Sequence, residues 1–414
     1  MPTMQEFQYL QSVLKEWYTP AVINQVPKKS PLWAIVKKKI SQTDAGGKRV
    51  YIPVQVGMTE AVGARAANDY SLPNAQRNSY NEAYIYMKRM YGRVMIDGFS
   101  IKSSKGRGGW IDALTGETKS ATDAFGIDID RQLMGTGQGI LAAVNGAISG
   151  QVITVNMPGG VTGDTPNTKW FRKGQVISIY STDGVAHATS VSISAVDVAN
   201  SKITVVGNIT AVVSTDWILK EKTFEATATL GSGELMGING IIDTANYPGT
   251  TFEGIDRGAE SLWQAQVKTG AGGLSELLIQ EFLDQIDDNT DTEDGIDLIF
   301  TSKTLRNKLI SLMQAFRKLE TLTFNAGWKA IKFVGGNVEL PILTHKNMPV
   351  GYMYFLCLPH LKLYLLQQME WDDTGGTVKA VSGYDAFEEW FSFYGNFGSD
   401  LPNSMGKMTG VTTS

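Results

Sequence analysis

A chain of 414 residues that is 43% hydrophobic and only 19% charged holds enough apolar material for two or three packed lobes and is no disordered tether. Its 37 Lys and Arg against 41 Asp and Glu give a formal net charge of −4, spread without a basic block, which argues against sequence-specific nucleic-acid binding. One cysteine, Cys357, leaves no intramolecular disulfide and no stapled, secreted fold.

In chain order, Met1 to Leu10 is polar and acidic, unlike a signal peptide, so a cytoplasmic origin is expected. Residues 4 to 18 predict an amphipathic helix with Phe7, Leu10, Leu14 and Trp17 on one face. Pro20, Pro27 and Pro31 then hold the chain extended, because each disfavours helix in the residue before it. Residues 1–47 therefore read as an arm.

Two strand-like runs follow within residues 48–105. Ile52, Val54 and Val56 alternate with Tyr51, Pro53 and Gln55, and a return run extends from Tyr80 to Ile96, with a polar tip from Gly57 to Asn78 between them. An isolated two-stranded ribbon is marginal in water, and its edges invite another chain. The ribbon is therefore expected to lean on a neighbouring subunit and to make few apolar contacts with its own chain.

Ile111, Leu114, Ala121, Phe125, Ile129 and Leu133 fall at helical spacing from about Trp110 to Met134, ended by Gly135 and Gly137. Gly116 and Gly126 inside it each cost roughly 1 kcal/mol against Ala. From about Gly150 to Glu221 the chain turns rich in Val, Ile, Thr and Ser, punctuated by turn residues. This predicts a compact β module with Val176, Ile179, Val191, Ile193, Ile203 and Val205 in its core. Helix returns at Leu274 to Ile286, followed by an apolar strand Ile296 to Thr301 and a helix from Ser302 to about Phe316. The last hundred residues revert to strands, and no internal repeat or heptad is visible. The longest apolar run, Val350 to Leu366, is broken by Pro359, His360 and Lys362 and is too short to span a bilayer, so no membrane partner is expected.

No chemistry-bearing constellation emerges. His187, His345 and His360 lack a second ligand at metal-binding spacing. Cys357 sits in an apolar strand, the setting of a structural thiol and not of a nucleophile. Gly135-Thr136-Gly137-Gln138-Gly139 follows a helix instead of a strand and lacks the Gly-Lys-Ser/Thr ending of a phosphate loop. The acidic loop Asp287 to Asp294 has Thr292 where a calcium loop needs glycine and Leu298 where it needs glutamate. Lys105 to Gly109 is basic but carries only two charges, and no Gly-x-Ser-x-Gly elbow occurs. No catalytic, cofactor-binding or metal residue is assigned, no cofactor is expected, and the chain reads as no enzyme.

Four stretches carry a family resemblance. They are Gly237-Ile238-Asn239-Gly240-Ile241-Ile242-Asp243 with Tyr247-Pro248 and Trp263; Leu298 to Leu312; Leu340-Pro341-Ile342 with Asn347-Met348-Pro349 and Gly351-Tyr352-Met353-Tyr354; and Glu389-Trp390 to Phe397 with Leu401-Pro402-Asn403. With the order of parts above, nearly the whole chain resembles the major capsid proteins of tailed bacteriophages, the Hong Kong 97-type shell fold. The resemblance implies an α+β chain divided into an N-terminal arm (1–47), an extended β loop (48–105), a spine helix and the start of a peripheral domain (106–149), an inserted β domain (150–224), peripheral-domain strands (225–265), an axial α/β domain with connecting strands (266–380) and a C-terminal peripheral strand (381–414).

The resemblance further implies a homo-oligomer of pentamers and hexamers forming an icosahedral virion shell around double-stranded DNA, assembled in the host cytoplasm with a portal, and it leaves a decoration protein open. No long charged helical segment precedes the arm, which by resemblance implies a separate scaffolding protein. Some relatives cross-link a loop lysine to a neighbour's asparagine; Lys88 and Lys102 are the nearest donors here, and no cross-link is expected. The inner wall is expected to be mixed or acidic, holding DNA without specific readout. Encapsulin-like nanocompartments share the fold, so a cargo shell is an alternative. A β-rich tail or surface-binding protein would fit the composition but leaves the α/β lobe unexplained.

Overall fold

A computed structural model describes residues 35, 41–44, 46–59, 61–69, 71–98, 107–146, 148–225, 231–244, 251–290, 295–315, 321–323, 329–335, 338–373 and 379–413. The arm helix expected over residues 4 to 18, and Lys102, lie outside them.

The spine helix runs unbroken over Arg107–Leu133, about 40 Å at the usual rise, with Gly116 and Gly126 inside it. Thr118, Thr122, Phe125, Ile129 and Leu133 form its buried stripe, and that tertiary packing outweighs the low propensity of the glycines. Phe125 meets the rings of Phe391 at 5.1 Å and Phe393 at 6.1 Å, so the helix lies on the strand Ala386–Ser399. That strand organises the peripheral sheet: it pairs antiparallel with Leu361–Trp371, Lys379–Ala380 and Lys88–Asp97, while Ser41–Asp44 adds in parallel to Leu361–Trp371.

The expected return run from Tyr80 to Ile96 is two strands with different partners. Ser79–Tyr86 pairs with Arg49–Gly57 as the ribbon, whereas after Met87 the chain crosses into the peripheral sheet, in register from Gly395↔Lys88 to Ala386↔Asp97. The alternation simply continues beyond the switch: Val94 is buried and Met90, Gly92 and Ile96 are half-buried, while Arg89, Tyr91, Arg93 and Met95 are exposed. Period-two patterning names a strand but not its partner.

Six strands close into a barrel in the order Trp217–Lys220, Ile140–Val144, Val152–Asn156, Lys202–Val206, Ala186–Asp197 and Val176–Tyr180. The first barrel strand therefore starts at Ile140, ahead of the residue 150 at which the composition changes. Ile179, Val191, Ile193, Ile203 and Val205 are in its core with Phe171 and Ile218, while Val176 is half-buried at its margin. The barrel is not self-contained: Val161 belongs to the main core, the Tyr352 hydroxyl donates to Thr162 O at 3.0 Å, and Val350 N–H donates to Asp164 Oδ1 at 3.0 Å.

Within what is described, residues 225–265, expected as peripheral strands, hold short pieces: Gly231–Ser232 paired with Phe224–Glu225, the hairpin Thr251–Asp256, the helical turn Ile238–Ile241 and the 3-10 turn Ser261–Trp263. The axial sheet has seven strands in the order Gln266–Lys268, Gly406–Met408, Met353–Leu356, Leu298–Thr301, Val338–Thr344, Lys329–Gly335 and Thr321–Thr323. Helix Glu276–Asp288 starts at Ser275, whose hydroxyl accepts from Leu278 N–H, and buries Leu278, Ile279, Phe282, Leu283 and Ile286. The C-terminal segment 381–414 is thus shared: Ala386–Ser399 is peripheral, but Gly406–Met408 returns to the axial sheet.

Candidate assembly surface

The ribbon has two unlike faces. Ala83, Ile85 and Val56 are buried, and Ile52 and Val54 pack against the main core, so its base rests on its own chain. This corrects the expectation of few apolar contacts: the inward side of the period-two pattern finds the peripheral sheet and the hairpin Thr251–Asp256, where Tyr84 N–H donates to Glu253 O at 2.7 Å. The outward face carries Tyr51, Tyr80 and Tyr86, all exposed, and continues onto the sheet as exposed Tyr91 and Met95. Tyr51 and Tyr86 flank Tyr84 at 6.2 and 5.5 Å between ring centroids, and the Arg49 guanidinium stands 4.3 Å from the Tyr86 ring. Beyond the paired strands, Met58 is 84% exposed and Val62 and Leu72 are each 88% exposed. A preordered tyrosine and arginine surface, ending in a polar tip that carries three uncovered apolar side chains, has the composition of interface hot spots.

Behind this surface, ionic contacts fasten the spine helix to its neighbours. Arg131 bonds Asp128 at 3.1 Å and Glu234 at 2.6 Å, and Lys220 from the barrel reaches Asp128 at 2.6 Å. Burial alone would raise the Asp128 carboxyl, but Arg131 and Lys220 outweigh it and hold it at about 2. Asp130 is shared by His345 Nε2 at 2.9 Å and Asn347 Nδ2 at 2.8 Å, joining the helix to the axial loop. Because His345 Nδ1 accepts from Asn347 N–H at 3.1 Å, the ring carries its proton on Nε2 and donates to Asp130. Glu389 receives a bond from Thr118 Oγ1 at 2.6 Å, and burial pushes its carboxyl up to about 7.

The residues weighed for chemistry are scattered. His187 bonds Asp216 at 2.6 Å in the barrel, His345 bonds Asp130 under the spine helix, and His360 bonds Asp400 at 3.0 Å at the end of the peripheral sheet. Sequence spacing hid all three partners, which lie 29, 215 and 40 residues away. Cys357 is fully buried in the main core. Gly135 to Gly139 leads from the spine helix into the first barrel strand, packed against Met236 and Gly237. Asp287 and Asp288 end a helix, and Asp291 to Asp294 lie outside the described residues. Arg107 to Gly109 belong to the spine helix instead of a flexible basic loop. Lys88 is a half-buried residue of the peripheral sheet, off the ribbon. No group of three metal-ligating side chains occurs among the described residues, and no described helix is long and apolar enough to cross a membrane.

No protein-family model and no curated relative matches the sequence. Among solved structures, the capsid asymmetric unit of cyanophage A-1(L) is similar over 93% of both chains at 13% identity, with a TM-score of 0.56. The holo-SrpI encapsulin complex of Synechococcus elongatus PCC 7942 is more remote, at 7% identity and a TM-score of 0.47 over 93% of this chain and 89% of that one. The capsid of myovirus XM1 stands at 11% identity and 0.44 over 91% and 92%. The cyanophage likeness covers nearly the whole chain, and the chain has the Hong Kong 97-type shell fold.

Proposed function

We propose that this chain is a major capsid protein, a structural subunit that turns over no substrate. Copies associate through pentamers and hexamers into an icosahedral shell that encloses phage double-stranded DNA. A separate scaffolding protein and a portal complete the particle, with a decoration protein as an optional addition; it is assembled in the host cytoplasm and ends as the virion capsid. The observation that carries this reading is the ribbon: its outward tyrosine face and the Met58, Val62 and Leu72 side chains of its tip have no cover among the described residues, on a chain whose fold matches a shell subunit over 93% of its length. The near balance of 37 basic and 41 acidic residues supports a wall that holds DNA without gripping it.

Negative-stain electron microscopy of the purified, overexpressed chain tests the reading. Closed particles or ring-shaped capsomers are expected. A monodisperse monomer at high concentration, with and without a crowding agent, overturns it. Particles that enclose protein cargo and exclude DNA in the producing cell would move the reading to a cargo shell.

A further inference from the structure

Lys407 lies in the axial strand Gly406–Met408 and is only 4% exposed. Its Nζ is 2.8 Å from Asn239 Oδ1, 3.1 Å from the Asn239 carbonyl and 2.9 Å from Asp243 Oδ2. Asn239 and Asp243 are each 1% exposed. Tyr354, the cross-strand partner of Lys407, is fully buried, and Trp263 is almost so. A primary amine, a carboxamide and a carboxylate therefore meet in a space closed to water. We propose that the folded chain joins Lys407 to Asn239 by an intramolecular isopeptide bond, with Asp243 carrying the proton.

The chemistry balances without any added reactant. Asp243 takes a proton from the Lys407 ammonium, and the neutral Nζ attacks Cγ of Asn239. That carbon is about 1.2 Å beyond Oδ1, so it lies within roughly 4 Å of Nζ, a small rotation from attack distance. The tetrahedral intermediate collapses by breaking Cγ–Nδ2: Asp243 gives its proton to the departing nitrogen and takes the remaining surplus proton from Nζ, which leaves a neutral amide. One Nζ–Cγ amide forms and one ammonia leaves. Burial lowers the Lys407 pKa below the ordinary lysine value, opposed by Asp243 and assisted by the Arg257 guanidinium nearby. The same burial keeps water from the finished amide. The bond would tie the turn Ile238–Ile241 to a strand 168 residues further on, locking the C-terminal segment into the axial sheet.

Intact-mass spectrometry of the purified full-length chain tests this. The expected mass is about 17 Da below that of the sequence, the loss of one ammonia, and digestion should yield a branched peptide pair carrying Lys407 and Asn239. Asn239 precedes Gly240, so a backbone succinimide would give the same loss; it hydrolyses in mild base and survives Lys407→Met, whereas the isopeptide does neither. Asp243→Asn is expected to restore the sequence mass. A wild-type chain of unaltered mass after prolonged incubation overturns the proposal, as does a loss confined to a linear peptide at Asn239. Both readings come from the wild-type chain and so do not depend on either variant folding.

Discussion

A Cβ atom placed on Gly92 would lie 2.0 Å from Cζ of Phe391, its partner on the neighbouring strand. The phenyl ring fills the space over the glycine and packs edge-on against Phe125 of the spine helix at 5.1 Å and Trp371 at 4.9 Å. Gly92→Ala must therefore push the ring out of this cluster. A destabilisation of about 1–3 kcal/mol is expected, the usual cost of overpacking a core. Gly63→Ala, on the exposed tip with 3.7 Å to its nearest neighbour, should stay within about 0.5 kcal/mol of wild type. Urea unfolding of both variants decides the matter; equal midpoints would refute the packing argument.

Two buried carboxyls make stability fall toward alkaline pH. Burial pushes Glu389 up to about 7 against the Thr118 hydrogen bond, and Glu253 up to about 8 against Ser399 N–H and the Arg257 charge. Each has one carboxyl oxygen, Oε2, without a hydrogen-bond partner among the described residues. Both groups hold a proton more tightly folded than unfolded, so their stabilisation is complete below the usual 4.5 and is lost as pH rises through about 7 and about 8. Asp128 acts in the opposite direction: held at about 2, it stabilises above its usual 3.8 and ceases to as pH falls toward 2. Glu389→Gln and Glu253→Gln should each flatten the decline in unfolding midpoint between roughly pH 5 and 8. An unchanged slope in the double variant would sink the assignment.

Removing Glu234 leaves the buried Arg131 guanidinium with Asp128 alone, and Asp128 is shared with Lys220. Glu234→Ala is expected to cost about 3–5 kcal/mol, as breaking a buried ion pair from one side does. Lys220→Ala should cost about 1 kcal/mol or less, because Lys220 is one-third exposed and Asp128 keeps Arg131. Denaturant unfolding of the two variants gives the ranking, and a reversed order would refute the network as drawn.

Local patterning made the parts legible, and pairing at a distance stayed hidden. Ile179, Val191, Ile193, Ile203 and Val205 could be read as a core from alternation alone, because each strand alternates against its own barrel. The partnership of Gly92 with Phe391 could not, since Gly92 carries no side chain to weigh and Phe391 stands 299 positions later. The break at Met87 was invisible for the same reason: both sides of it alternate equally well. Nothing in the local sequence singles out Asp130 of the spine helix; only the fold brings His345 and Asn347 to it. Glu389 and Lys407 sit in apolar strands, where a charge signals either an exposed edge or a buried partner, and only the packed structure decides which.

The outward ribbon face should matter to assembly and little to the subunit. Tyr51 is 58% exposed, Tyr86 is partly exposed, and neither side chain enters the core. Replacing both with serine is expected to change subunit stability by less than about 1 kcal/mol, since exposed substitutions seldom do more. Interface truncations at aromatic anchors cost 2 kcal/mol or more each by the usual range, so the concentration needed for particle formation should rise at least about tenfold. Light scattering against subunit concentration reads this. Assembly at the wild-type concentration by a stably folded double variant would remove the ribbon face from the interface.

The barrel offers the sharpest test of domain organisation. Its first and last strands are neighbours, with Ile140 opposite Leu219, so Gly139 and Glu221 lie close enough for a short Gly-Ser linker to replace residues 140–220. The shortened chain keeps the spine helix and both sheets, and it should fold. It loses Val161 from the main core, two hydrogen bonds to residues 350 and 352, and the Lys220 contact to Asp128. One buried valine and two hydrogen bonds come to roughly 3–5 kcal/mol, so a lower but cooperative unfolding transition is expected. Retaining Met157 to Phe171 as a linked loop should recover most of that difference, because Val161, Thr162 and Asp164 all lie within it. Circular dichroism with urea titration measures both constructions. A shortened chain that is wholly unfolded, or a retained loop that restores nothing, would show that the strands of the barrel and the main body fold as one unit.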